Sequence, residues 1–583
     1  MSNYRQDRRA LWRSRCAILR YPAWLMSHGA TTISSSNPTV YLETFGCQMN
    51  ELDSELVRGH LKSLGYQFIE DYTRADIVLY NTCSVREQAE NKAYSRLGLI
   101  AKRKKAGETV ILGVLGCMAE RDGADMLRRY PQVDLLCGPG ELDRLPALID
   151  NVRRTEGVAR EERLALAGNK SRRSTTLAAA DDQLELLDLS RAFDPSGPDA
   201  ASRRAYVRIT RGCNKFCTYC VVPNTRGAEV HRPPDSIIDE CKRLVDAGVV
   251  EITLLGQTVN HYRYTHGPAV DASGREQPQV GPGLAGFRAA IKPGERVTTF
   301  ARLLERIHDE VPALGRLRFL TSYPRDFGDD ILDVMAACPR IARFIHAPAQ
   351  SGSDRILKAM NRGYTRGEYL DFIGRVQAKL PDCTIAGDII VGFPGETDED
   401  FEQTVSLLRA VPFKNNYIFK YSPRPGTVAI DRFIDDVPTD VKKLRNNLLL
   451  DIQTEISALV HSKWVGQEVE VLVESIKDHG EAARETEREA AHEDAISIPL
   501  HTTIHPAAAK VELRWNRRQT GNRRPQTGLQ AIGRSGGDLI VAVDLDCDSI
   551  DAESLIGTIV RVQPEISSAL LLRGRLLKAA FSG

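Results

Sequence analysis

The sequence predicts an α/β protein with three parts: an N-terminal parallel α/β domain, a partial (β/α)6 barrel and a small C-terminal β-barrel. Apolar strand-like runs alternate with helical patterns over residues 39–150, and six further strand–helix repeats run from residue 206 to about residue 435. Such alternation is typical of parallel sheets, because parallel neighbours need a long crossover that is usually a helix. The tail instead alternates apolar and polar residues in short runs, which indicates a small all-β barrel.

The first domain opens with a β-rich run from Thr39 to Cys47. Apolar residues at helical spacing then predict a helix over Asp53–Leu64. The strand Ile77–Tyr80, a helix over Glu87–Ala101 and the strand Val110–Val114 complete the predicted domain.

The second domain, placed at residues 203–440, is defined by its strand candidates. If they form a partial β/α barrel, the active site lies at the carboxyl ends of the strands. Residues 151–202, poor in aromatic residues, are interpreted as a linker, and the Gly/Pro-rich insert 265–296 as a surface loop. The candidates are Tyr206–Thr210, Glu251–Leu255, Arg316–Leu320, Ile341–Ile345, Thr384–Val391 and Tyr417–Tyr421.

The third domain is predicted over residues 463–565, after a helix at Val441–His461. Its strand signals are the alternating runs Val469–Val473, Leu539–Val543 and Thr558–Val562.

Amino-acid composition by itself excludes few classes of function. The chain has 78 basic and 77 acidic residues, so any nucleic-acid surface must be local. No apolar run reaches about 18 residues, so no membrane span is predicted. Residues 1–38 hold six arginines and one acid, which matches an organellar transit peptide. The alternative, which we favour, is a disordered or mis-started N-terminus on a cytoplasmic protein.

The most informative pattern is the C-x3-C-x2-C triplet formed by Cys213, Cys217 and Cys220. Twelve cysteines in 583 residues are too few for a disulfide scaffold, and clustered spacing without a secretory signal indicates metal binding. A cube of four irons normally takes four protein ligands. Three thiolates would leave one iron open to bind a substrate or cofactor directly.

A second set, Cys47, Cys83 and Cys117, is dispersed along the first domain. Each residue comes at or just beyond the carboxyl end of a predicted strand, where the loops of a parallel sheet cluster in space. We favour a second cluster with an open iron over three inert core cysteines, because all three share one edge of the sheet. The remaining cysteines share no ligand spacing and are expected to be structural: Cys16, Cys137, Cys241, Cys338, Cys383 and Cys547.

From about residue 39 to 565 the chain resembles the radical S-adenosylmethionine (SAM) methylthiotransferases, most closely the MiaB branch that modifies tRNA. The run "TCSVREQAENKAYSRLG" favours that branch over sister branches acting on threonylcarbamoyl-adenosine or on a ribosomal protein. The resembling segments occur in family order and include "YLETFGCQMNELDSE", "RGCNKFCTYCVVPNTRG", "PAQSGSDRILKAMNRGYTR" and "DIIVGFPGETDEDF".

The resemblance implies two 4Fe–4S clusters and SAM as cofactors. The triplet Cys213, Cys217 and Cys220 matches the ligands of the cluster that binds and cleaves SAM. The dispersed set matches the ligands of the auxiliary cluster that handles sulfur.

The resemblance also implies three SAM contacts. Tyr219 occupies the aromatic position near the adenine, with core packing as the alternative. Gln257 would accept a hydrogen bond from the methionine amino group through its amide oxygen. Gly392 would allow close approach of the backbone to SAM.

The tail resembles a TRAM domain, an RNA-binding β-barrel, through "VLVE", "IGRSGGDLIVAV" and "SLIGTIVRV". A basic stretch between these pieces suits phosphate contact and base stacking, with a solvated loop as the alternative. The candidate RNA-binding residues are Arg514, Trp515, Arg517, Arg518, Arg523 and Arg524.

The implied activity is sulfur insertion and methylation at carbon 2 of isopentenyl-adenosine at position 37, beside the tRNA anticodon. The alternatives are the same chemistry on threonylcarbamoyl-adenosine or a ribosomal protein, or a non-catalytic regulator that kept the fold. The expected partners are tRNA, a flavodoxin- or ferredoxin-type electron donor and a sulfur source. We expect a cytoplasmic monomer without a membrane partner.

Overall fold

The structure is a computed structural model. It describes residues 37–84, 87–154, 163–166, 185, 187–188, 203–478, 529–545 and 552–578.

The N-terminal part is a six-stranded, wholly parallel sheet. Its central strand Ile77–Thr82 is buried along its whole length, as expected of a sheet covered on both faces. The strands, in spatial order, are Gln67–Phe68, Thr39–Thr44, Ile77–Thr82, Ile111–Gly116, Leu135–Cys137 and Leu164–Ala165. The helices around it are Gln48–Ser63, Glu87–Lys105, Cys117–Arg129 and Leu145–Arg154, with a 3-10 turn at Leu142–Arg144.

Two described pieces of residues 151–202 do not behave as a linker. Leu164–Ala165 pairs with the strand Leu135–Cys137 and forms the edge of the N-terminal sheet. Asp188 is fully buried and lies 2.7 Å from Arg208. The strand Leu164–Ala165 is too short, and Asp188 is a single residue, so neither produces a hydrophobic period that the sequence could reveal.

The central part is an open arc of six strands in chain order. Two three-stranded parallel sheets are joined by a single parallel bridge between Leu317 and Ile341. The predicted partial (β/α)6 barrel is therefore confirmed. The fourth strand begins at Phe344, three residues later than predicted, because Ile341 makes only that bridge. The six strands are Arg204–Arg208, Glu251–Leu255, Arg316–Phe319, Phe344–His346, Thr384–Val391 and Phe413–Lys420.

Amphipathic helices pack their apolar faces on this arc and form the largest core of the protein. Two of them begin with a capping box, Thr365 with Glu368 and Thr397 with Asp400. The main helices are Pro234–Asp246, Phe300–Glu310, Asp329–Ala337, Asp354–Ala359, Arg366–Lys379, Asp398–Ala410 and Thr439–Ser462. Short helical turns lie at Val222–Thr225, Val259–His261, Pro324–Asp326 and Val428–Arg432.

The insert 265–296, predicted as a surface loop, contains regular structure. Its strand Gln279–Val280 pairs with Val230–His231, which in turn pairs with Thr210–Arg211. A short helix, Gly283–Arg288, follows, and the hairpin-like pair Arg263–Thr265 and Val297–Thr299 encloses the insert. The insert therefore packs beside the loop that carries the cysteine triplet.

The C-terminal part is a closed β-barrel, as predicted, and it has five strands. Its last strand lies beyond the expected end at residue 565 and closes the barrel by pairing in parallel with Ile540–Asp544. The strands, in spatial order, are Val469–Asp478, Leu529–Ser535, Ile540–Asp544, Leu572–Lys578 and Ile559–Ser567.

The turn Ser535–Asp538 at the tip of one barrel hairpin docks on the amino ends of the central strands. Arg318 donates to the carbonyl oxygen of Ser535, and Thr384 donates to that of Gly537. Lys414 forms an ion pair with Asp538 at 2.5 Å. Burial opposes ionisation of Asp538, but the cations of Lys414, Arg318 and Arg534 still hold its pKa below the usual range.

Replacement of Asp538 by asparagine is expected to lower the free energy of unfolding by about 3 kcal/mol, because Lys414 would stay buried without a counter-ion. Asparagine tolerates the positive φ of 57° at this position, so backbone strain is not added. Denaturant unfolding measures the loss. Asp544→Asn is the matched control, since its ion pair with Arg573 is exposed and contributes at most about 1 kcal/mol. Equal effects of both variants would contradict the interface.

Candidate functional site

The cysteine triplet lies in the loop that follows the first central strand, at the carboxyl ends of the arc. Gly212 starts this loop at φ +68°, and a Cβ there would stand 1.9 Å from the carbonyl oxygen of Ala228. Only glycine therefore permits the turn. Phe216 also has a positive φ, 50°, and its carbonyl oxygen accepts a hydrogen bond from Asn361 at 3.0 Å. These constraints hold the loop in one shape.

The loop brings its three thiols together. Burial, together with the nearby Glu229 and Cys217, raises the pKa of Cys213 to about 12. Burial likewise raises the pKa of Cys220, with smaller contributions from Cys217 and Cys213. Cys217 thus lies close to Cys213 and Cys220, and these two lie close to each other, as three ligands of one centre must.

The dispersed set is also assembled by the fold. Cys47, Cys83 and Cys117 follow the strands Thr39–Thr44, Ile77–Thr82 and Ile111–Gly116, which are neighbours in the sheet. A hydrogen bond from Cys83 lowers the pKa of Cys47 to about 6, against the opposing effect of burial. The three thiols therefore meet at one edge of the sheet.

Close approach of the backbone makes this arrangement possible. A Cβ on Gly46, at φ +121°, would stand 2.3 Å from the Cβ of Cys83. A Cβ on Gly116, at φ +86°, would stand 2.4 Å from Oδ1 of Asn81. The glycine before each of two cysteines is therefore required by packing.

Both donor sets fit an iron–sulfur cube. None of these six cysteines is in a disulfide. Over the residues that the structure describes, no three His, Cys, Asp or Glu side chains converge closely enough to share a single metal ion. A cube gives each cysteine its own iron, so its ligand sulfurs stand farther apart than those of one ion. Three soft thiols without harder ligands are the donors such a cluster takes.

Arg226 connects the two sets. It ends the short helix that follows the triplet and donates to Asp53 at 2.7 Å and to Asn50 at 2.8 Å, both on the helix after Cys47. It also contacts the thiol of Cys117, where burial raises the pKa and Arg226 opposes that rise. One buried guanidinium therefore fixes the edge of the N-terminal sheet against the triplet loop.

Arg226→Met is expected to lower the free energy of unfolding by about 3 kcal/mol, because the Asp53 carboxylate would stay buried with Arg208 at 3.8 Å as its remaining cation. Denaturant unfolding of the metal-free protein measures the loss. The double variant with Asp53→Asn should recover part of it, giving a coupling of about 1–3 kcal/mol. Strictly additive effects would show that the ion pair does not join the two parts.

The residues predicted to contact SAM lie around the triplet. Tyr219 packs against the cluster of Met360 and Phe393, and its hydroxyl is 3.5 Å from Arg362. Gln257 is half-buried, two residues after the strand Glu251–Leu255. SAM contacts by these side chains stay predictions.

Gly392 has a structural reason to be glycine. Its φ is +69°, and a Cβ would stand 2.3 Å from Cγ of Lys442. Its backbone N–H donates to Glu396 at 2.7 Å. A contact between Gly392 and SAM also stays a prediction. The basic stretch from Arg514 to Arg524 lies outside the described residues.

Sequence reasoning missed three side chains at the site. Thr258 lies 3.7 Å from the sulfur of Cys213, and Arg362 donates to the sulfur of Cys217 at 3.4 Å. Arg226 was missed although it is the last residue but one of the segment "RGCNKFCTYCVVPNTRG". Arg362 likewise lies in the family segment that includes "AMNRGYTR". The sequence therefore marked both arginines as part of the family pattern but did not indicate what they contact.

Two family models match the chain. Residues 39–138 match the Uncharacterized protein family UPF0004, and residues 207–408 match the Radical SAM superfamily. The first match covers the sheet that carries the dispersed cysteines, and the second covers the arc that carries the triplet. Fold and site thus define a radical SAM enzyme class.

Curated relatives narrow that class. A tRNA-2-methylthio-N(6)-dimethylallyladenosine synthase of Rhodopirellula baltica is 44% identical over 76% of this chain and 84% of its own length. Proteins of the same name from Opitutus terrae and Bordetella avium are 39% and 38% identical, over 87% and 90% of their lengths. The chain belongs to this family of radical SAM methylthiotransferases.

Among solved structures, a radical SAM methyltransferase, TsrM from Kitasatospora setae, is 14% identical with a TM-score of 0.45, covering 67% of this chain and 77% of that chain. In the described part of the chain, no helix is both long and apolar enough to cross a membrane.

Proposed function

We propose that this protein is a tRNA methylthiotransferase that inserts sulfur at carbon 2 of isopentenyl-adenosine at position 37, beside the anticodon, and methylates it. The observation that carries the proposal is the pairing of two three-cysteine sets on facing strand ends, held together by Arg226. The names of the curated relatives support the choice of substrate.

The two sets divide the work. Cys213, Cys217 and Cys220 would hold the cluster that binds SAM, and Cys47, Cys83 and Cys117 would hold the auxiliary cluster. When bound, these cofactors supply one-electron cleavage of SAM and the sulfur chemistry. The chain itself buries part of each set: the exposed fraction is 1% at Cys83, 3% at Cys117 and 9% at Cys217. The other three cysteines of the two sets are half-buried: Cys47, Cys213 and Cys220.

The substrate base must leave its stack to reach these strand ends. An unpaired base in an anticodon loop can be splayed out at low cost, which is the usual mode of RNA readout. Phe216 is 43% exposed at the tip of the triplet loop and offers an aromatic face at the entrance. The C-terminal barrel would serve as a TRAM domain for the RNA.

The proposed partners follow from the chemistry. A low-potential flavodoxin or ferredoxin would supply the electron, and a separate sulfur source would restore the sulfur that is transferred. We place the enzyme with its tRNA substrate in the cytoplasm and expect it to act as a monomer.

The test is nucleoside mass spectrometry of tRNA from cells that lack the gene. We expect 2-methylthio-isopentenyladenosine to disappear, isopentenyladenosine to accumulate, and the wild-type gene to restore the product. Unchanged product in an organism without a second copy would overturn the proposal. Loss of the methylthio form of threonylcarbamoyl-adenosine, or of a ribosomal protein side chain, would instead assign the enzyme to a sister branch.

A further inference from the structure

Arg362 is a buried cation at the triplet loop. Only 6% of its surface is exposed. Its guanidinium lies 4.8 Å from the ring centre of Tyr323 and 5.2 Å from that of Tyr364. Its Nη1 donates to the sulfur of Cys217 at 3.4 Å. The rings of Tyr323 and Tyr364 therefore hold the Arg362 guanidinium against Cys217, a predicted cluster ligand.

The other acceptors of Arg362 are neutral. Nε donates to the hydroxyl of Tyr364 at 3.0 Å, Nη2 to the carbonyl oxygen of Pro348 at 3.1 Å, and Nη1 also reaches the hydroxyl of Tyr219 at 3.5 Å. None of these groups is a carboxylate. The hydrogen bonds satisfy the donors, but among the described residues no carboxylate pairs with the positive charge.

Other deeply buried arginines of this protein show the contrast. Each lies 2.7 Å from a buried carboxylate: Arg208 with Asp188, Arg226 with Asp53, Arg232 with Glu240 and Arg445 with Glu396. Arg362 differs from these four arginines, because none of its described hydrogen-bond acceptors is a carboxylate.

A buried charge without an opposite partner costs several kcal/mol. Contacts with aromatic faces recover about 2 kcal/mol when desolvated, which is not enough to offset that cost. Among the acceptors of Arg362, the sulfur of Cys217 is the one that would carry negative charge, because it would be a thiolate when it binds iron. A cube held by three thiolates carries net negative charge, and one-electron reduction adds to it.

We propose that Arg362 is the counter-ion of the cluster held by Cys213, Cys217 and Cys220, and that it favours the one-electron-reduced state of that cluster. The inference rests on the proposed function, because it needs a cluster at the triplet. The electron comes from an external low-potential reductant and resides on the cluster. Arg362 acts as a positioning residue through its hydrogen bond to the Cys217 sulfur.

The test measures the midpoint potential of the triplet cluster by electron paramagnetic resonance, in a full-length Cys47→Ala/Cys83→Ala/Cys117→Ala background that leaves one cluster to titrate. Arg362→Met should disfavour reduction at least tenfold, a shift of about 59 mV to lower potential for one electron. Arg362→Lys keeps the positive charge but loses the planar guanidinium with its paired N–H donors. Its shift in midpoint potential should therefore be smaller than that of Arg362→Met.

Lys358→Gln is the matched control, because it removes one exposed positive charge from a nearby helix and should leave the potential unchanged.

Iron content and visible absorption measure cluster loading independently of the potential. If Arg362→Met fails to load iron while Arg362→Lys loads it, iron loading itself shows that the cluster requires a positive charge at this position. Equal potentials and equal loading for Arg362→Met and the background would overturn the inference. No cluster in the background itself, with Arg362 intact, would overturn the cluster on which the proposed function depends.

Discussion

Cys217→Ala is expected to abolish both 5′-deoxyadenosine formation and the methylthio product. The loss of an outer-shell partner typically costs 10–100-fold, so the loss of a ligand should cost more than about 100-fold. Cys217 is also the thiol that Arg362 contacts, so its removal takes away a ligand and the acceptor of that hydrogen bond. Chromatography of reactions with SAM and a strong reductant measures both products.

Cys383→Ala is the control for this experiment. Cys383 is half-buried in the central part, and its thiol donates to the backbone oxygen of Thr384 at 3.6 Å. It belongs to neither cysteine set, so its variant should retain both products. Persistence of 5′-deoxyadenosine in Cys217→Ala would show that the triplet does not hold the SAM-cleaving centre.

Cys83→Ala should separate the two activities. The auxiliary set would lose its most buried thiol, the one that hydrogen-bonds Cys47, so the methylthio product should fall by more than about 100-fold. The triplet would be intact, so 5′-deoxyadenosine should still form in the presence of reductant. Iron content should drop by about half, since one of two cubes is lost.

The same two products decide the outcome for Cys83. Retention of the methylthio product would remove Cys83 from the ligand set. Loss of 5′-deoxyadenosine together with the product would show that the two sets are not functionally separable. A split result, with SAM cleavage retained, is the signature that the two-cluster proposal requires.

Sequence alone could indicate which cysteines the fold brings together, because their signals are local; their role as cluster ligands stays a prediction. The triplet is a spacing within eight residues, and each dispersed cysteine follows its own strand. Strand candidates were recoverable for the same reason, since apolar runs of five to eight residues are visible in a short window.

The side chains that connect these signals could not be predicted. Arg226 meets Asp53 across 173 residues, and Arg362 meets Cys217 across 145 residues. Nothing in a local window marks such pairs, because they exist only once two elements have folded against each other. The strand Leu572–Lys578 was also missed. It pairs with the preceding strand Ile559–Ser567 and with Ile540–Asp544, and the second pairing exists only once the barrel has closed.

The docked turn Ser535–Asp538 has a consequence for the order in which ligands enter and leave the site. It is packed against Arg318, Thr384 and Lys414 at the amino ends of the arc, which are all buried. The turn therefore covers the amino ends where it docks, and we expect small ligands to enter and leave at the cysteine end. A polynucleotide seated over that entrance would trap whatever lies beneath it. We expect an ordered cycle, in which the small ligand enters before the nucleic acid and its remains depart only after the nucleic acid has left.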